Sequence, residues 1–315
     1  MNSIEPMNYL YTYSCHEDER DLCNMEMRSF FGSDTNESVK ISKVKIDPSR
    51  SPFMKERLDI IYRGRTVEEL AKQVDGFKID ESFKVIFVKN PSHPNKEAVR
   101  FEMRKEIERK IGLLIKGEVD LIHPTVLFGI MKVDGEWIFG RYYKSEAMWL
   151  QHQNKPHQYS TALSTRVARA VVNIAVPSST GIKAIDPCCG VGTVLVEALS
   201  MGIHIVGRDI NPLVLPGTRE NIAYFGFHTE VTLGDIKDVT ESYDVAIIDM
   251  PYNLCSVITS EEKLEMIQSA RTFSKKVVIV TIEPMDLTIT EAGFEIVDRC
   301  VAKKGTFSRE VIVCQ

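Results

Sequence analysis

The sequence predicts an α/β chain in two parts: a mixed α+β region over residues 1–150, then over residues 151–315 a mostly parallel sheet flanked by helices, with an antiparallel last strand. Three observations carry that expectation. After residue 160, short apolar runs alternate with helix-length segments, and before it they do not. A polar stretch with one proline, residues 151–160 (QHQNKPHQYS), separates the two textures. Finally, a glycine-containing loop stands where the first apolar run of the second part meets its helix.

In the first part, strands are expected over residues 9–14, 84–89 and 127–133, the last turning through Asp134-Gly135 into a strand at 137–142. Asp-Gly between two apolar-rich runs is a strong hairpin signal, because both residues accept the positive φ that such a turn needs. Helices are expected over 17–31 and 95–115; in the second, Ile107, Ile111, Leu114 and Ile115 recur at three-and-four spacing, with Phe101 upstream. The second part reads as a helix at 164–175, strand 181–186, helix 193–200, strand 203–208 and helix 213–224. Strands at 230–233 and 244–249, a helix at 261–273, a strand at 276–282 and a closing antiparallel pair around Lys303-Lys304-Gly305 follow. This is a Rossmann-like succession of βαβ units, whose ligands bind at the carboxyl ends of the strands.

Composition excludes several classes. With 43% hydrophobic and 26% charged residues over 315 positions, the chain is neither disordered nor fibrous. No apolar run reaches the roughly 18 residues of a membrane helix, and residues 1–10 lack a leader pattern, so a soluble cytoplasmic protein is expected. Seven cysteines without a CxxC indicate reduced thiols, with no zinc site. The net charge of -5 is unevenly spread: residues 1–39 hold 2 basic and 8 acidic side chains, and residues 40–116 hold 19 basic and 12 acidic. A basic middle segment suits either a phosphate backbone or an ordinary solvated surface.

Residues 186–193, Asp186-Pro-Cys188-Cys-Gly190-Val-Gly192-Thr193, form the strand-to-helix loop. Two glycines permit a sharp turn and close approach of a ligand to backbone amides, although the same glycines would serve a purely structural turn. A dinucleotide loop would want a small residue where Leu195 stands. An acid at the strand end repels a pyrophosphate and suits a cation, such as the sulfonium and ammonium groups of S-adenosylmethionine. Asp209 ends the next strand and can accept both ribose hydroxyls; Asp235 ends the third and can accept from an adenine amino group. Ile210 and Ile236, which follow them, belong to the same expected pocket. Each acid taken singly could also be a helix cap.

The fourth strand ends in Asp249-Met250-Pro251-Tyr252. This resembles the (Asp/Asn)-Pro-Pro-(Tyr/Phe) signature of amino methyltransferases that modify exocyclic base nitrogens; in isolation it also fits a proline turn with a buried tyrosine. DPCCGVGT, GRDIN, LGD and DMPY stand in that family's order, with Met250 in place of the usual proline. The resemblance implies a class I methyltransferase sheet. It also implies that Asp249 and the carbonyl of Met250 accept the two hydrogens of the target amine, with Tyr252 stacking on the base. Such acceptors are needed because the amine lone pair is delocalised into the ring and must be turned toward the methyl donor.

Residues 156–164 (PHQYSTALS) and then Arg166-Val-Ala-Arg169-Ala-Val-Val-Asn173 resemble the lead-in segment of the THUMP-associated tRNA guanine-N2 methyltransferases acting at guanosine ten. That resemblance implies cofactor contacts from Tyr159 and Ser160 and a helix over the cofactor's methionine end. Strand 84–89, the charged helix and Val119-Asp-Leu-Ile-His-Pro124 before the hairpin look like part of a THUMP domain, a module that docks tRNA. The expected activity is transfer of a methyl group from S-adenosylmethionine to guanine N2 of tRNA, with RNA as partner, no membrane and no metal. A DNA amino methyltransferase, or a non-catalytic RNA-binding protein keeping the cofactor fold, would share these motifs.

Overall fold

The computed structural model describes residues 8–34, 38–92, 99–160, 162–251, 258–305 and 307–315. The chain forms two compact units, one from the described residues of 1–14, 35–49 and 53–146, the other from 15–34, 50–52 and 147–315. The boundary expected at 150 thus has a counterpart at 146, but residues 15–34 and 50–52 pack with the second unit. Strand β1 (Tyr9–Tyr13) therefore belongs to the first unit and helix α1 (Arg20–Phe31) to the second.

The first unit continues with β2 (Val39–Ser42), β3 (Met54–Gly64), helix α2 (Val67–Val74), β4 (Phe83–Phe87), helix α3 (Phe101–Gly112), β5 (Val126–Val133) and β6 (Glu136–Lys144). Its six strands run in the order β2-β1-β3-β6-β5-β4, all neighbours antiparallel except β4 and β5. The β5–β6 hairpin turns at Asp134 and Gly135, both at positive φ (50° and 81°), as the Asp-Gly pair predicts. Strand β3 escapes sequence reading because its middle carries Arg57 and Asp59, which resemble loop residues. The two are two apart on one face, buried, and joined by an Arg57 Nε to Asp59 Oδ1 bond of 2.5 Å. Phe101, counted on the apolar stripe of the charged helix, is instead exposed at its first position, while Ile107 and Ile111 are buried.

The second unit alternates strand and helix: α4 (Thr165–Ala175), β7 (Lys183–Asp186), α5 (Thr193–Ser200), β8 (His204–Asp209), α6 (Leu215–Tyr224), β9 (Val231–Leu233), β10 (Tyr243–Asp249), α7 (Ser260–Phe273), β11 (Ser274–Thr281), α8 (Asp286–Glu291), β12 (Ile296–Lys304) and β13 (Phe307–Cys314). The strand order is β12-β13-β11-β10-β7-β8-β9; β7 to β11 pair in parallel and β13 runs antiparallel to both neighbours. This is the Rossmann-like class I methyltransferase arrangement expected above. The chain leaves β7 in one direction toward β8 and β9 and returns on its other side as β10, so the sheet has its topological switch between β7 and β10. Among the described residues no helix is long and apolar enough to cross a membrane.

A buried polar cluster explains why α1 joins this unit. Glu26 of α1 accepts from Ser51 Oγ (2.5 Å) and from Asn173 Nδ2 (2.6 Å), and Arg50 Nε donates to Asn173 Oδ1 (3.0 Å). One turn earlier on α4, Arg169 Nη1 donates to Glu197 Oε2 (2.7 Å), and Glu197 Oε1 bonds to His152 Nδ1 (2.8 Å). Arg169 and Asn173, expected to belong to a helix over the cofactor, therefore face this cluster. Their i,i+4 spacing sets both on one helix face.

Candidate active site

A cavity of about 530 Å³ opens at the carboxyl ends of β7, β8, β9 and β10, a size suited to a nucleoside-bearing ligand. Of the residues singled out in the sequence, Tyr159, Asp186, Cys188, Gly190, Thr193, Asp209, Ile210, Asp235, Ile236, Asp249, Met250 and Pro251 line it. Ser160 does not: it is exposed in a turn outside the lining. Gly192 shapes the loop from behind, at φ 77°, where an added Cβ would stand 2.9 Å from Thr218 Cγ2. Tyr252 lies outside the described residues.

The glycine loop is held from three sides. Cys189 N donates to Arg208 O (2.9 Å), Gly192 N to Cys189 O (2.8 Å) and Gly190 N to Asp209 Oδ2 (2.7 Å). Leu195, too large for a dinucleotide loop, fits because Gly207 of β8 has no side chain; a Cβ there would lie 2.6 Å from Leu195 Cδ1. Asn221 of α6, fully buried and without a sequence signal, donates to Val191 O (2.8 Å) and His157 O (2.9 Å) and accepts from His157 N (2.8 Å). It pins the glycine loop to the segment carrying Tyr159. Asn221→Leu strands the buried Val191 carbonyl and two part-buried His157 backbone groups, so a loss of about 1–3 kcal/mol is expected, read as a lower melting temperature.

Both readings of the strand-end acids hold together. Asp209 Oδ1 accepts from Asn211 N (2.9 Å) and Asp235 Oδ1 from Lys237 N (3.1 Å), yet both residues line the cavity. Each carboxylate keeps lone pairs for a ligand after its backbone bonds are made. Asp186 is buried and accepts from Cys188 N (3.2 Å); burial, then Asp249 and Asp209, push its carboxyl well above the usual range. The Cys188 thiol is pushed up by burial and by the same ring of acids, so it is held protonated and is no nucleophile. Four acids around one cavity favour a cationic ligand.

Asp249 keeps one carboxylate oxygen unused among the described residues. Its Oδ1 is buried and has no hydrogen-bond partner among the described residues, and burial pushes its carboxyl up to about 7, opposed by Arg309. Met250 takes the place of proline for a local reason: its N–H donates to Val280 O of β11 (2.9 Å), extending the strand by one bond that proline cannot make. Its side chain is buried beside Met266 and Ile267 of α7.

Lys237, Glu262 and Met266 also line the cavity and were not anticipated. For Glu262 a signal existed: with Thr259 it forms a capping box at the start of α7, Thr259 N donating to Glu262 Oε2 (2.7 Å). Lys237 and Met266 had none, since their place depends on how the turn after Asp235 and helix α7 fold back over the sheet edge.

Comparison with known proteins follows the same division. Residues 152–288 match the family model described as UPF0020: RMKL-like, methyltransferase domain. The chain is 34% identical over 176 residues to a tRNA (guanine(10)-N2)-dimethyltransferase of Methanothermobacter thermautotrophicus, covering 51% of each. It is 26% identical over 249 residues to the protein of that name from Methanocaldococcus jannaschii, covering 67% of this chain and 70% of that one. A human U6 snRNA (guanine-N(2))-methyltransferase THUMPD2 is 32% identical over 101 residues, 29% of this chain and 20% of its own length. The chain spans about half the length of the Methanothermobacter relative. Among solved structures, TrmN from Thermus thermophilus aligns over 98% of this chain and 99% of its own with 17% identity and a TM-score of 0.49. Residues 152–288, less than half of the chain, are thus similar to the UPF0020, RMKL-like methyltransferase domains.

Proposed function

We propose that the chain is a cytoplasmic S-adenosylmethionine-dependent RNA methyltransferase acting on an exocyclic base nitrogen, guanine N2 of tRNA. The observation that carries this reading is Asp249 Oδ1, buried at the edge of an acid-rimmed cavity and without a hydrogen-bond partner among the described residues. A buried acceptor without a partner costs free energy in the resting protein, and a donor arriving with the substrate offsets that cost. When bound, S-adenosylmethionine supplies an electrophilic methyl group on a sulfonium. The residues present fit such a ligand: Gly190, at φ 49°, has open space where a Cβ would stand, and Asp209 and Asp235 offer acceptors to hydroxyl and amino groups.

In this reading Asp249 accepts a hydrogen of the base amine and stabilises the positive charge that grows on nitrogen. Its position then orients the lone pair rather than abstracting a proton in advance. Met250, held by β11, sets the backbone that follows Asp249 at a constant height. The target base must leave its stack to reach a carboxylate buried at the edge of a cavity. The first unit is read as the tRNA-docking part, THUMP-like in β4, α3 and the β5–β6 hairpin. The relatives named for guanine-N2 methylation of tRNA and of U6 snRNA support RNA over DNA. Incubation with labelled S-adenosylmethionine and unmodified tRNA, followed by nucleoside analysis, tests the reading; the expected product is N2-methylated guanosine. Label entering duplex DNA but not tRNA, or no transfer to either, contradicts it.

A further inference from the structure

The β12–β13 hairpin has a feature that the cofactor pocket does not use. Strand β13 last pairs with β11 at Glu310, opposite Thr281, while β12 and β13 stay paired to Lys304 and Phe307. Three residues, 307–309, therefore overhang the carboxyl edge of the sheet by about 10 Å. That is the edge on which the cavity opens. Register also fixes the faces: Asp249 pairs with Val280 and Val280 with Val311, so Asp249, Val311 and Arg309 share one sheet face. Opposite partners share it too, which adds Lys304, paired with Phe307. Along the overhang this face carries Lys304, Phe307 and Arg309, the Arg309 guanidinium standing 4.8 Å from the Phe307 ring centre.

The composition of this tip is one-sided. Residues 300–309 contain Lys303, Lys304 and Arg309 and no acid. Both lysines are exposed, and Phe307 shows 41% of its surface. An exposed aromatic ring between cations, on the same sheet face as the carboxylate that must meet an extruded base, matches the chemistry of a single-stranded nucleic acid: a π-face for a base and positive charge for its phosphates.

Resting on the reading above, we propose that the hairpin tip is a contact for the unpaired RNA segment carrying the target nucleotide, with Phe307 stacking on a neighbouring base and Lys304 and Arg309 holding the flanking phosphates. The occupant is RNA; a protein partner would leave RNA kinetics untouched by the variants below.

The test uses the full chain, an unmodified tRNA transcript and S-adenosylmethionine, comparing wild type with Phe307→Ala, Phe307→Tyr and Lys304→Glu. Phe307→Ala is expected to raise KM for RNA about tenfold while the affinity for the cofactor and the melting temperature stay at wild-type values, and Phe307→Tyr to restore most of the loss. Lys304→Glu is expected to weaken RNA binding and to reduce the slope of log affinity against log salt by about 1. Wild-type KM and RNA affinity in both Phe307→Ala and Lys304→Glu overturn the proposal, and so does equal damage from Phe307→Tyr and Phe307→Ala, which would mark a packing role. An active wild type with indifferent variants sinks the hairpin alone, whereas a wild type that neither binds nor methylates RNA sinks the functional reading with it.

Discussion

Asp249→Asn is expected to lower methyl transfer about a thousandfold, the scale seen when a group aimed at developing charge is removed, while leaving S-adenosylmethionine bound. The same substitution should stabilise the fold. Burial holds the Asp249 carboxyl near 7 against an ordinary value of 3.8, so the native state favours its protonated form. Its contribution to stability is fully present below the unfolded value and is lost as pH rises through about 7. Glu26, also pushed up to about 7 by burial, acts in the same direction. Wild type should therefore melt at a lower temperature at pH 8 than at pH 5, and Asp249→Asn should lose part of that slope. At pH 8 the gain has a ceiling of about 4 kcal/mol. An Asn variant that transfers methyl at the wild-type rate removes Asp249 from the chemistry; one less stable than wild type at pH 8 shows that the charged form is welcome in its pocket.

Glu197→Leu should give the largest loss of stability. Glu197 is completely buried and serves Arg169 and His152 at once, so its removal leaves a buried guanidinium without its carboxylate. Breaking one side of a buried pair costs about 3–5 kcal/mol. For a unit of this size that corresponds to roughly 10 °C in melting temperature by calorimetry. Glu197→Gln keeps an acceptor for Arg169 and a polar group for His152 and should lose about half as much. A Leu variant melting within about 1 °C of wild type would show that the cluster relaxes around the change.

Much of the second unit was legible because its signals are local. Short apolar runs between helices mark buried parallel strands, and the acids Asp186, Asp209, Asp235 and Asp249 follow those strands in sequence as they do in space. The first unit was harder. Strand β3 hides its buried Arg57 and Asp59 pair behind charges, and β2, only four residues long, has no period to read. Ser160 was placed in the site by resemblance, and its turn leaves it exposed outside the cavity.

Residue order alone determined the sheet of the second unit, its glycine loop and the row of acids at its edge, because hydrophobic period, glycine freedom and strand ends are properties of neighbouring residues. Tertiary structure decided what depends on distant partners. It gave α1 to the second unit through Glu26, Ser51 and Asn173, clamped the loop with Asn221, left Asp249 Oδ1 without a partner among the described residues and set Phe307 and Arg309 beyond the sheet edge. Burial and pairing are sums over residues far apart in the chain, so no local window of sequence contains them.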